Sequence, residues 1–287
     1  MTSFLNIRID GAAYGEEVVS KSKPAWELAP AVGIPGIPTA PATSSPEQNE
    51  PVKKAAAKDY ENGVFKVLLQ IDQTQSGHAL IGEIHRIGRT VTIVPLIPVG
   101  QDWTGASARP FDETAATRKH WLKRDKDGDP YKDRERGTGA GSDCEIEFIT
   151  SSLAQRVYSE PAIKTPKKKP NPLALADEIL VHELLHAVRD MAGASFRRRV
   201  PRQPRYDNFE EFYAIVVANV YRSECGRSGV RSDNHSTFES MYVDGKGFLR
   251  LHFNRMHLQR FCRRHENLAA ELSKISTYFN PFQHLRT

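Results

Sequence analysis

Residues Leu173 to Gly193 read LALADEILVHELLHAVRDMAG and contain His182-Glu183-Leu184-Leu185-His186, an HExxH pattern. Residues four apart on a helix share one face, with Cβ atoms about 5–6 Å apart, so two imidazoles at this spacing can reach a single ion. Local signals favour a helix here. Asn171 suits a cap, Pro172 the first helical position, Asp177 and Glu178 the positive end of the helix dipole, and Gly193 the exit. On a 100° wheel Leu180, Leu184, Ala187, Val188 and Met191 share one side while His182 and His186 lie opposite. The spacing therefore predicts histidines that do not fill the core. The plain alternative is a surface histidine pair with no ion.

A catalytic zinc takes three protein ligands and keeps one position for water. Downstream, Tyr206 to Tyr221 opens with Asp207 and Asn208, either of which suits a helix cap, and continues as a mostly apolar helix bearing Glu210 and Glu211 in its first turn. Phe209, Tyr213, Val216 and Val220 centre one face, Glu211 lies opposite them and Glu210 sits on the flank. This arrangement favours Glu211 as third ligand and keeps Glu210 as the alternative; both also suit the helix dipole.

The expected chemistry follows from the ion. Zinc held by His182, His186 and Glu211 would polarise a carbonyl and acidify its bound water, and Glu183 would take the water's proton. Tyr206, Arg231, His235 and Tyr242 are candidate oxyanion donors, and Glu178 and Asp190 are candidate acceptors for the imidazole N–H groups.

Composition sets outer bounds. With 287 residues, 39% hydrophobic, the chain can bury a sizeable core. No apolar run approaches 18 residues, so no membrane span is expected, and the first residues lack the pattern of a secretory signal. Cys144, Cys225 and Cys262 are scattered and odd in number, which speaks against a disulfide framework and against a cysteine zinc site. A net charge of +5 is mildly basic and names no partner.

Seven prolines between residues 24 and 51 predict a linker, so residues 1–59 are expected to be an N-terminal arm and Pro-rich linker, largely disordered, ahead of one domain over 60–287. Within that domain Val64 to Ile71 is predicted as a strand, Gly77 to Arg86 as a helix ended by Gly88, and Thr90 to Pro95 as a strand. Cys144 to Ile149 alternates polar and apolar residues, as a half-exposed edge strand able to bind substrate by strand addition would. Phe248 to Ile275 has helical apolar spacing and predicts a helical C-terminal lobe, on which His252, His257 and His265 are expected to be ordinary helix residues. The order of elements implies an α+β fold with a small mixed sheet, the HExxH helix and a second, glutamate-bearing helix.

Other motifs are weaker. Asp125, Asp127 and Asp129 resemble a calcium loop, but Pro130 and Arg136 occupy positions that need glycine and glutamate. The glycines from Gly137 to Gly141 precede a strand, which disfavours a phosphate cradle. Lys164 to Pro170 and the cluster Arg197, Arg198, Arg199, Arg202 and Arg205 suit solvated loops; without aromatic interleaving they argue little for nucleic acid.

HExxH followed by glutamate on a second helix resembles the gluzincin class of zinc metallopeptidases, and Asn208 to Ala214 is similar to the glutamate helix of anthrax lethal factor, placing the ligand on Glu211. The runs Gly137 to Phe148, Ala176 to Ala187, Tyr206 to Glu224 and Phe279 to Phe282 resemble bacterial metallopeptidase toxins, including effectors injected into host cells and peptidase domains carried by type VI secretion spikes. The resemblance spans roughly residues 60–287. It implies a zincin-like endopeptidase with one zinc, acting on protein or peptide substrates. Such an effector is made in the bacterial cytoplasm and delivered by a secretion system to a target-cell periplasm or host cytoplasm, with a secretion-apparatus or immunity protein as partner. No glycine and third histidine follow His186 at the metzincin spacing. Two rival readings are a non-catalytic protein-binding effector that keeps the fold, and a basic nucleic-acid-binding protein.

Overall fold

The structure, a computed structural model, describes residues 6–13, 46–96, 106–118, 137–149, 176–197, 206–227, 229–231 and 244–285. Most of the proline-rich stretch, Asn171 and Pro172, the Asp125–Asp129 triplet, Lys164 to Pro170, Arg198, Arg199, Arg202, Arg205, His235 and Tyr242 lie outside these residues.

The fold is α+β, with a four-stranded mixed sheet. In chain order its elements are β1 (Ile7–Ile9), α1 (Pro46–Asp72), α2 (Gln75–Ile87), β2 (Val91–Pro95), β3 (Ala106–Pro110), α3 (Glu113–Ala116) and β4 (Cys144–Phe148). There follow α4 (Ala176–Met191), α5 (Phe209–Glu224), α6 (Gly245–Phe248), α7 (His252–Arg264), α8 (Glu266–Ser273) and a 3-10 turn (Pro281–His284). Strand order is β1-β2-β4-β3; the first three are parallel and β3 runs antiparallel to β4 at the edge.

Three expectations give way to the structure. Val64 to Ile71 is helix, not strand: it belongs to α1, where Tyr60, Val64, Leu68 and Ile71 are buried at helical intervals while Phe65 and Lys66 point outward. A short apolar run looks alike in either state, and only the position of the core separates them. The helix passes through the boundary expected between residues 59 and 60, and Ile7–Ile9 pairs with Val91–Ile93, so residues on both sides of that boundary build the fold. Gly11 makes this possible, because a Cβ there would lie 2.3 Å from the Ala57 carbonyl oxygen of α1.

Nor is β4 an edge. It lies between β2 and β3, with Ile146 and Phe148 buried and Glu145 and Glu147 on the opposite face, where Arg109 of β3 reaches Glu145 at 2.6 Å and Glu147 at 3.2 Å. Alternation reports one covered face and not a free side. The segment Phe248 to Ile275 is mostly helical, as its spacing predicts, in more than one piece: α7 and α8 meet at the buried His265, whose φ of −126° and ψ of 55° interrupt the run.

The motif helix α4 is buried around almost its whole circumference, against α5, α2, β3 and β4. Gly193 ends it as expected, at φ 62°, with the Ala194 amide donating to the Arg189 carbonyl at 2.8 Å. α4 and α5 are tied at both ends by buried ion pairs. Near the start of α4, Glu178 accepts from Arg222 at 3.0 Å and Asp177 from Tyr221 Oη at 2.7 Å; near its end Arg189 grips Glu210. Such pairs specify one register, because an unmatched buried charge is costly.

Candidate metal centre

α4 places His182 and His186 one turn apart, and α5 brings Glu211 across from them. The cap of α5 is Asn208, whose Oδ1 accepts from the Glu211 amide at 3.1 Å and so fixes the first turn that carries the carboxylate. His182 Nε2 lies 3.1 Å from His186 Nε2 and 3.2 Å from Glu211 Oε2, and His186 Nε2 lies 3.4 Å from Glu211 Oε1. The rings stand edge to face, 79° apart. Side-chain exposures of 5%, 11% and 13% show that the trio is sunk between elements while standing outside the apolar core cluster.

Electrostatics follow from this crowding. Burial drives His182 down to about 3, toward the neutral imidazole that ligates metals. Burial also opposes charge on His186, but the hydrogen bond to Glu211 and the charges of Glu183 and Glu211 outweigh it and raise the group to about 9. Burial alone would raise Glu211, yet hydrogen bonds to both imidazoles hold its carboxyl far below the usual range.

The donor set suits a small divalent ion of the zinc type. Two imidazole nitrogens and a carboxylate lie within 4.8 Å of one another. Bonds of about 2.0–2.1 Å in tetrahedral geometry require donors about 3.3–3.4 Å apart, close to the three separations found. Two ring nitrogens facing each other at 3.1 Å need either a shared proton or a cation between them.

Glu183, 8% exposed, is raised to about 6, first by burial and then by the negative charge of Glu211, while His186 and the Ala108 backbone amide of β3 pull the other way. The second candidate ligand takes another role: Glu210 pairs with Arg189 and accepts from the Phe196 amide at 2.6 Å, so Glu211 alone of the two faces the histidines.

Glu178 and Asp190 do not serve the imidazoles as expected. Glu178 is taken up by Arg222 and Arg227, and Asp190 by Arg197 at 3.1 Å. Arg231 is held by reciprocal backbone bonds to the Asn219 side chain at 2.8 and 2.9 Å, and its charge depresses His182 and Glu183. Tyr206 packs edge-on to Phe212.

Sequence reasoning missed Ala108 and Arg189. Ala106–Pro110 lacks the β-branched residues that signal strand, and an arginine in a last helical turn reads as a dipole partner. No family model and no curated protein sequence matches the chain.

Proposed function

We propose that the protein is a zinc-dependent metalloendopeptidase with a zincin-like centre. The observation that carries this is the convergence of His182, His186 and Glu211 with Glu183 beside them, all at low exposure. His182, His186 and Glu211 would hold the ion; when bound, zinc polarises a carbonyl and lowers the pKa of its water toward about 7.

The chain supplies the rest. Glu183 is mostly ionised near neutral pH yet retains a carboxyl basic enough to accept a proton and release it to a leaving amine. β3 is an edge strand adjoining α4, so an extended peptide can pair with its backbone and lie across Glu183. Arg231 is the oxyanion donor supported by its electrostatic reach to the site. A role as a bacterial effector that cleaves a target-cell protein is supported by the motif resemblance.

Elemental analysis should find about one zinc per chain, and Glu183→Gln should abolish proteolysis or toxicity while retaining the metal. A chain that binds no zinc and keeps its effect as His182→Ala would overturn the proposal. An effect that survives Glu183→Gln identifies the non-catalytic binding protein instead.

A further inference from the structure

Beside the α4–α5 junction, distinct from the His182, His186 and Glu211 trio, lies a small, partly open cavity. Its walls carry four arginines, Arg118, Arg189, Arg260 and Arg264, together with Tyr213 and His257. The carboxylate of Glu210 answers Arg189. Among the described residues Arg118 and Arg264 form no ion pair or side-chain hydrogen bond; Arg118 instead lies over Phe196, its guanidinium carbon 3.4 Å from the ring centre. Stacking of this kind holds a guanidinium plane while leaving its N–H edge available.

The two polar groups beside them are more telling. Tyr213 is 6% exposed and His257 5% exposed, and among the described residues neither side chain has a hydrogen-bond partner. Their polar atoms are not sealed off from solvent, and both residues line the cavity, so both can bond a group that enters it. The surrounding field identifies its sign. Arg118 is lowered to about 10, by burial first and then by Arg264, Arg260 and Arg189, and Arg118 in turn helps hold His257 down at about 4. Convergent like charges are unfavourable unless an anion joins them.

We propose that this cavity is an oxyanion site for the phosphoryl group of a small soluble phosphate, gripped by Arg118 and Arg264 and hydrogen-bonded by Tyr213. Planar guanidinium forks match phosphate geometry, and a phenol O–H donates to a phosphate oxygen. A cavity walled by guanidinium N–H donors is ill suited to a cation. The proposal does not depend on the peptidase assignment, since it uses no metal ligand.

The test is calorimetric and thermal titration of the full chain with inorganic phosphate and with glycerol 2-phosphate, against sodium chloride at equal ionic strength. Each titration is repeated with chelator present, so that binding at a metal is separated from binding here. The expected result is a saturable rise in melting temperature that survives chelator, with affinity lost at least tenfold in the double variant Arg118→Gln/Arg264→Gln. Tyr213→Phe, which removes one hydroxyl and keeps the ring, should weaken binding by about three- to tenfold. Tighter binding of the ester identifies a phosphomonoester, and equal or tighter binding of the free ion identifies phosphate itself. No saturable effect beyond chloride, an effect abolished by chelator, or unchanged affinity in both variants would overturn the assignment.

Discussion

The guanidinium of Arg189 holds both carboxylate oxygens of Glu210, at 2.6 and 2.9 Å, while the next residue, Glu211, turns toward His182 and His186. Adjacent glutamates in one helical turn thus point in different directions, one into a structural pair and the other toward the candidate metal-binding histidines. The same arginine donates to the Ala194 carbonyl at 2.7 Å and approaches His265 Nε2 at 3.2 Å, tying the end of α4 to the C-terminal lobe.

Glu210→Gln and Glu211→Gln should therefore fail differently. Glu210→Gln leaves the buried Arg189 charge unanswered and should cost about 3–5 kcal/mol of stability, with zinc still bound by the folded fraction. Glu211→Gln should lose zinc affinity and activity with a smaller loss of stability measured in chelator. Urea unfolding alongside metal content distinguishes them; loss of zinc in Glu210→Gln without loss of stability would show that the ligand is misassigned.

Activity should fall on the acid side. In the proposed mechanism Glu183 is a base only when ionised, and burial raises it to about 6, so kcat/KM should decline about tenfold per pH unit well below that value. The Ala108 amide lowers this pKa, and it lies on an edge strand where proline is tolerated. Ala108→Pro should therefore move the acid limb to higher pH. An unmoved limb in that variant would remove the amide from the account.

Acid stability should depend on Glu83. Burial works against its charge, but paired bonds from Arg86 at 2.7 Å and the nearby His265 outweigh that and lower it from 4.5 to about 2. A carboxylate with a depressed folded-state pKa contributes stability above its unfolded value and loses it as pH falls through the folded one. Melts between pH 5 and 2 should show a steeper decline in the wild type than in Glu83→Gln, and parallel declines would refute the linkage.

Two glycines of positive φ offer an internal comparison. At Gly193, φ 62°, a Cβ would lie 2.3 Å from the Gly139 carbonyl oxygen, whereas at Gly88, φ 76°, it would meet open space. Gly88→Ala should cost about 1 kcal/mol from backbone strain alone, and Gly193→Ala distinctly more, because two backbone segments must separate. Equal costs in urea unfolding would mean that the Gly139 loop yields freely.

Local signals were legible where chemistry and helix periodicity coincide. HExxH at i and i+4, the Asn208 cap and the Gly193 exit place the histidines and Glu211 on helices without reference to the remainder of the chain. The ambiguity of Val64 to Ile71, the interior position of β4 and the break at His265 were not legible, because each depends on which neighbour covers a face. Arg189 is the sharpest case: nothing in its local sequence distinguishes a dipole partner from the buried link to Glu210 and His265. By itself, then, the sequence determined the candidate ligand types and their helical spacing, the latter set by backbone geometry within a few residues. Tertiary structure alone decided which glutamate faces the histidines, that β3 presents the Ala108 amide to Glu183, and that arginines distant in sequence share one cavity, because those relations depend on long-range packing and on the cost of burying charge unmatched.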